Sequence, residues 1–228
     1  MNVLVATPLR KELNLLLEHL WAKSLHTQVV NLPKAKVVHS SRTEITLAAA
    51  GHGKVRFAVA AQYLIDALGP FDLLICAGAA GALSAELHPG DVVVSTCTIE
   101  HDYKLGFGGP SEPPKFDGDA ELIAQMQAAT TEPGAFRVLF GPVASGDEDV
   151  VTRTRADELH KATGALAVAW EGAGAANVCS FNNIRFLEIR AVADAADHAA
   201  ADSYHLNLPC AMQNIGTVLE SYFAETAK

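Results

Sequence analysis

Residues 168–204 read V-A-W-E-G-A-G-A-A-N-V-C-S-F-N-N-I-R-F-L-E-I-R-A-V-A-D-A-A-D-H-A-A-A-D-S-Y. A short apolar run stops at the carboxylate of Glu171. An Ala/Gly-rich helical segment follows, and a second strand-like run over 184–192 ends at Asp194 and Asp197. Strand, helix and strand with carboxylates at the strand ends is the pattern of an α/β domain, in which ligands sit beyond the carboxyl ends of the strands. Each carboxylate also has a plainer reading alone. Glu171 could cap a helix, and the aspartates could form turns.

Outward from this stretch, apolar runs and helical periodicities alternate. Strands are expected at 3–6, 29–32, 36–39, 45–50, 73–77, 92–99, 137–143 and 165–170. Helices are expected after Pro8, then at 55–68, 119–129, 152–163, 171–180 and 206–224. The alternation predicts one α/β domain over 1–228 with a largely parallel or mixed sheet. Glycine and alanine at 78–82 read as a small-residue turn that lets a backbone or ligand approach closely. Residues 104–114, K-L-G-F-G-G-P-S-E-P-P, hold too much Gly and Pro for regular structure, and Phe107 stands in them without an evident core partner. Gly51-His52-Gly53-Lys54 opens a helix and could hold an anion, but it lacks the spacing of a nucleotide-binding loop.

Composition narrows the function. Half of the 228 residues are hydrophobic and the formal charge is −9. A balance this acidic disfavours nucleic acid as a partner. No basic amphipathic segment points to a membrane surface, and no apolar run reaches the length of a spanning helix. No basic region precedes the first apolar run, so a secretory signal is not expected and the cytoplasm is. Cys76, Cys97, Cys179 and Cys210 are widely spaced and read as reduced core residues. Asp194, Asp197, His198, Asp202 and His205 lack the spacing of a metal site. Asp197 reads instead as an anchor for the loop that carries Asp194, and His101-Asp102 as a structural pair at a strand end.

Eight pieces in order carry a resemblance. They are Glu12 after the first strand, G-H-G-K-V from Gly51, A-G-A-A-G-A-L from Ala77 and P-G-D-V-V-V-S from Pro89. His101-Asp102, S-G-D from Ser145, W-E-G-A-G-A-A from Trp170 and R-A-V-A-D-A-A-D from Arg190 complete them. Together they resemble the purine nucleoside phosphorylase and nucleosidase superfamily, most closely its 5′-methylthioadenosine/S-adenosylhomocysteine nucleosidase branch. The resemblance implies a three-layer α/β/α fold around a mixed, largely parallel twisted sheet. It implies hydrolysis of the N-glycosidic bond of a 5′-substituted purine nucleoside, within nucleoside catabolism and methionine salvage, without cofactor or metal. Asp194 then looks like the acid that protonates the base, Glu12 like the activator of water, and Glu171 like the grip on the ribose hydroxyls. Trp170, Leu9, Ala79, Gly81, Val150, Arg190 and Tyr204 are the further substrate-binding positions, with Tyr204 as an aromatic cap. Phe107 resembles an aromatic lent across a homodimer interface to the neighbouring subunit's 5′ substituent; its other reading is a loop aromatic packed on its own surface.

Four positions depart from the family pattern. Ala169, Ala79 and Ala193 stand where polar residues are usual, and Asp149 where an aromatic stacks on the base; Trp170, in place of the usual methionine, would restore some stacking surface. Three alternatives stay open: a futalosine hydrolase, a phosphate-dependent phosphorylase with Arg10 as one phosphate ligand, and a member that binds nucleosides without cleaving them. Cys76 and Ala79 stand where a phosphorylase would place phosphate ligands, and Glu12 beside Arg10 would repel a dianion, so hydrolysis is the favoured expectation. Glu12 also has a plain role, as a carboxylate in the first turn of a helix.

Overall fold

Helices lie on both faces of a mixed sheet that closes on itself at one end. The computed structural model describes residues 1–21, 26–29, 35–39, 44–107, 112–130 and 135–225. In chain order the elements are β1 (Asn2–Thr7), α1 (Arg10–Trp21), β2 (His26–Val29), β3 (Ala35–His39), β4 (Glu44–Ala49), α2 (Lys54–Leu68), β5 (Leu73–Ala82) and β6 (Val92–Glu100). There follow β7 (Lys115–Asp117), α3 (Ala120–Ala129), β8 (Val138–Ser145), α4 (Arg153–Thr163), β9 (Ala167–Ala169), α5 (Gly172–Asn182), β10 (Arg185–Asp194) and α6 (Ala200–Glu225). The strand expected over 29–32 keeps only Val29 among the described residues, at the end of β2.

β1 lies between β4 and β5, parallel to both. β3 and β2 extend the sheet beyond β4 as antiparallel strands. On the other side β5 pairs parallel with β10, and β10 antiparallel with β6. β6 pairs parallel with β8, β8 parallel with β9, and β9 antiparallel with β5. The last pairing closes a ring of β5, β10, β6, β8 and β9, so these strands have partners on both sides. One apolar cluster joins α1 and α6 to one face of the sheet. A second joins α2 and α5 to the other. This is the three-layer arrangement expected.

Two expectations are corrected. The small-residue stretch 78–82 is no turn: β5 continues through it to Ala82, held by β10 on one side and β9 on the other. Its residues are small because side chains cross them. A Cβ on Gly78 would come within 2.9 Å of both Arg190 Nη1 and Pro8 Cδ, and one on Gly81 within 2.9 Å of Asp194 Oδ1. The closing helix begins at Ala200, six residues before the start expected at 206, and carries Pro209 inside it. Its first turn is organised by Asp197, whose Oδ1 accepts from Ala199 N at 2.9 Å while its carbonyl accepts from Ala200 N. Tyr204 therefore stands on a helix. The cysteines are free, but only Cys76 and Cys179 are core residues; Cys210 is exposed.

Candidate active site

β10 shows how the sequence sorts its side chains. Successive strand residues point to opposite faces. Leu187, Ile189, Ala191 and Ala193 enter the cluster under α1 and α6. Glu188 and Arg190 therefore project from the other face. Arg190 is fully buried there, with Nε donating to Glu188 Oε1 at 2.8 Å and Nη2 donating to Glu171 Oε2 at 3.2 Å and to Cys76 Sγ at 3.3 Å. Glu188 is completed by the Thr98 hydroxyl, which donates to its Oε2 at 2.5 Å. Two carboxylates thus hold one guanidinium in the interior, where an unpaired charge could not stay.

Glu171 stands immediately before α5 but makes no capping bond to it; the hydroxyl of Ser145 accepts the Ala173 N–H there instead. The Glu171 carboxylate turns toward α2. Its Oε1 accepts from Gly53 N at 3.1 Å and lies 3.0 Å from His52 Nδ1. Asp147 Oδ1 accepts the next amide, Lys54 N, at 2.9 Å. The glycine turn before α2 does hold anions, and they are the protein's own carboxylates. Burial opposes the charge on Glu171, yet His52, the Arg190 guanidinium and the Gly53 N–H together keep its pKa below the ordinary carboxylate value. The same contact with Glu171 is the main reason that the His52 pKa is raised. The His52 ring stacks on Trp170 with centroids 4.1 Å apart.

Glu12 in the first turn of α1 is 2% exposed. Its Oε2 accepts from Leu9 N, three residues back, and its Oε1 from Ala79 N on β5, each at 2.9 Å. The first bond is the local half of a capping box; the second ties the helix start to the sheet. Burial raises its pKa from the ordinary 4.5 to about 7, against the pull of the two amides and Arg190. The Arg190 guanidinium hydrogen-bonds Glu188 and Glu171 and acts on Glu12 only through space, so it offsets little of the burial.

Asp194 ends β10 where the register with β5 shifts. Its Oδ1 accepts from Ala196 N at 2.8 Å. Burial, with Asp197 nearby, raises its pKa despite that amide. A carboxyl whose pKa burial raises holds its proton more firmly than an ordinary one, which suits it to act as an acid.

These groups border one cavity of about 390 Å³. Of the residues expected from sequence, Asp194, Glu12, Glu171, Trp170, Leu9, Ala79, Gly81, Val150, Arg190 and Tyr204 all line it. Phe107 does not. Its side chain is 100% exposed, so it is not packed on its own surface either. Asp149 lines the cavity, as does Ala169, while the Ala193 carbonyl accepts from Asn207 Nδ2. Asp102 is structural, bonded to Lys54 Nζ and to Asp147 N. Among the described residues no group of three or more His, Cys, Asp or Glu side chains is placed to hold a metal ion.

Sequence reasoning missed His52 and Glu188 as parts of the site. A glutamate two residues before an arginine inside an apolar strand was the available signal for Glu188, since strand alternation puts both on one face.

Comparison with known proteins identifies the family of the chain. The phosphorylase superfamily profile matches residues 2–224. A 5′-methylthioadenosine/S-adenosylhomocysteine nucleosidase from Glaesserella parasuis is 30% identical over 190 residues, covering 78% of this chain and 80% of that protein. The solved structure of a nucleosidase of the same name from Neisseria meningitidis, in complex with methylthio-immucillin-A, is 30% identical with a TM-score of 0.85, over 97% of this chain and 98% of that one. A futalosine hydrolase from Helicobacter pylori shares the fold at a TM-score of 0.87 and 24% identity, over 99% and 98% of the two chains. The chain belongs to the phosphorylase superfamily, and within it to the 5′-methylthioadenosine/S-adenosylhomocysteine nucleosidase-like branch.

Proposed function

We propose that the protein is a nucleosidase that hydrolyses the N-glycosidic bond of 5′-substituted purine nucleosides, of the 5′-methylthioadenosine and S-adenosylhomocysteine type, to the free base and the 5′-substituted ribose. One observation carries this reading. A single cavity has a carboxyl whose pKa is raised by burial, Asp194, in one wall and a buried carboxyl–guanidinium group, Glu12, Glu171 and Arg190, in another. Breaking an N-glycosidic bond needs both. Negative charge grows on the departing base, and Asp194 delivers its proton there. Positive charge grows on the sugar, and the acidic wall stabilises it.

Glu171 accepts hydrogen bonds from the ribose hydroxyls and is held for that task by Arg190 and His52. Glu12 takes a proton from water while the water oxygen bonds to the anomeric carbon. Each step balances: the base leaves with the Asp194 proton, the water hydroxyl stays on the sugar, and the water proton stays on Glu12 until solvent removes it. A pKa near 7 suits Glu12 to this role, because a cationic sugar beside it favours its ionised form at the moment of attack. Trp170, Leu9, Ala79, Gly81, Val150 and Tyr204 enclose the nucleoside.

Hydrolysis is favoured over phosphorolysis by the lining. Besides Arg190, whose guanidinium already serves Glu188 and Glu171, the lining carries the carboxyl groups of Glu12, Glu148, Asp149 and Glu171. A phosphate dianion meets repulsion on this surface. The test is release of free base from methylthioadenosine, S-adenosylhomocysteine, adenosine, inosine and futalosine with and without phosphate. A strict phosphate requirement, with ribose 1-phosphate as product, overturns the reading.

The protein acts in the cytoplasm, in nucleoside catabolism and methionine salvage, as a homodimer and without a cofactor. Val55, Val59 and Tyr63 follow one another at four-residue spacing on α2 and are exposed, an apolar stripe of the kind a partner covers. Lys54, beside that stripe, pairs with Glu100 and Asp102 at the start of the segment carrying Tyr103, Leu105 and Phe107. Dimerisation through this face lends Phe107 to the neighbouring cavity. Phe107→Ala then raises KM for substrates with apolar 5′ groups, whereas Phe107 acting only as a surface residue leaves KM unchanged.

A further inference from the structure

A second cavity, of about 500 Å³, adjoins the first and shares Pro8, Leu9 and His52 with it. The two differ in charge. The second is bordered by the guanidinium-bearing side chains of Arg10 and Arg56, by Tyr63 and by small or apolar residues, and no Asp or Glu borders it among the described residues. In a chain of net charge −9 this is a local reversal. Neither Arg10 nor Arg56 has an ion-pair or hydrogen-bond partner among the described residues, whereas Arg137, Arg153, Arg155, Arg185 and Arg190 each pair with a carboxylate.

The floor between the two arginines is fixed. Ala50 N donates to the Thr7 carbonyl and Gly51 N to the Pro8 carbonyl, at 2.8 and 3.0 Å, so the residues before α1 and α2 are tied together. Gly51 has φ +99, and a Cβ there would lie 3.3 Å from Arg56 Cβ. Arg10, in the first turn of α1, and Arg56, in the first turn of α2, thus rise from one joined turn beside the exit from the first cavity. Their position relative to the chemistry follows from the shared wall. Asp194 and Glu171 border only the first cavity, and His52 links Glu171 to the second. With the base at Asp194 and the ribose at Glu171, a substituent leading away from both passes Leu9 and His52 into the basic chamber.

We propose that Arg10 and Arg56 form an anion subsite that selects 5′ substituents ending in a carboxylate. This deepens, and rests on, the nucleosidase reading above. The two chambers then match a substrate of two characters: a sugar that becomes cationic in the acidic chamber, and an anionic tail in the basic one. Charge-assisted hydrogen bonds from guanidinium to carboxylate are the strong class of such contacts, and at partly exposed side chains they are expected to favour the carboxylate by about tenfold.

The test uses two 5′-thioethers of adenosine of equal length, one ending in a butanoate and the other in its butanamide isostere. Wild-type kcat/KM for adenine release is expected to favour the butanoate by about tenfold, with Arg10→Ala and Arg56→Ala each moving the ratio toward one. Arg56→Glu is expected to shift preference toward a third thioether ending in an ammonium group. A wild-type ratio near one, or a ratio unchanged in all three variants, overturns the subsite. Consumption of inorganic phosphate, lost in Arg56→Ala, also overturns it, because the arginines then serve the free ion. If neither these thioethers nor methylthioadenosine releases adenine, the nucleosidase reading is what has failed. The subsite is then judged by calorimetric Kd for the same pair, with the same ratios expected and the same results refuting it.

Discussion

Replacing Glu12 with glutamine separates the cost of burying its charge from everything else that titrates in the molecule. The carboxyl is almost completely buried, and its pKa stands at about 7 instead of the ordinary 4.5. A group whose pKa is raised by folding contributes fully to stability below its unfolded value and loses that contribution as pH rises through its folded value. Wild-type protein should therefore lose about 3 kcal/mol from this one group between roughly pH 4.5 and pH 7, at about 1.4 kcal/mol for each tenfold change in proton affinity. Glutamine does not titrate. It offers one oxygen to the two amides of Leu9 and Ala79 that Glu12 serves with two, which costs about 1–3 kcal/mol at every pH. That offset moves the variant's curve without changing its slope. The measurement is urea unfolding of both proteins across pH 4.5 to 8, plotted as the difference, in which other titrating groups cancel. The difference should move by about 3 kcal/mol in favour of the variant as pH rises. A change below about 1 kcal/mol would show that Glu12 ionises as an ordinary surface carboxylate does, and would remove the physical basis for its role with water.

Other substitutions test the remaining parts of the site. Asp194→Asn keeps the shape and the acceptor for Ala196 N but cannot give a proton; turnover should fall by about a thousandfold or more with unchanged far-UV circular dichroism, and a variant that keeps most of its turnover refutes the acid. Glu171→Gln weakens the grip on the ribose and unbalances Arg190, so kcat/KM should fall about a hundredfold while the thermal midpoint drops; activity equal to wild type would show that the ribose is held elsewhere. Gly172→Ala places a Cβ against both oxygens of Glu188, which Thr98 and Arg190 hold in place. It should cost about 2 kcal/mol in chemical denaturation, and a neutral result would mean that the Glu188 carboxylate moves freely.

How much of this was legible beforehand depended on what each residue answers to. The strand ends could be read because apolar runs and the residues that stop them are local facts. That is why Glu171, Asp194 and the start of α1 were identified from sequence as positions of interest. The stretch 78–82 was misread because small residues have two uses, and sequence alone does not separate them. Glycine there serves close approach and not a turn: the ring of five strands carries β5 straight through, while Arg190 and Asp194 occupy the space that side chains at 78 and 81 would need. The start of α6 was misplaced for a related reason. An aspartate likewise has two uses: Asp197 reads as a loop anchor, yet it starts the helix, and so places Tyr204 on the cavity wall. Glu188 and His52 were missed because neither has a local signature. Their meaning lies in a sum of charges drawn from β10, α1 and the turns before α2 and α5. Glu12 is the carboxyl that is buried without a hydrogen bond from Arg190 or His52, and burial raises its pKa to about 7 against the pull of the Leu9 and Ala79 amides. The acid–base character of this site is thus a property of the closed sheet that gathers these residues, and changes in that packing should alter it as surely as changes in the carboxylates themselves.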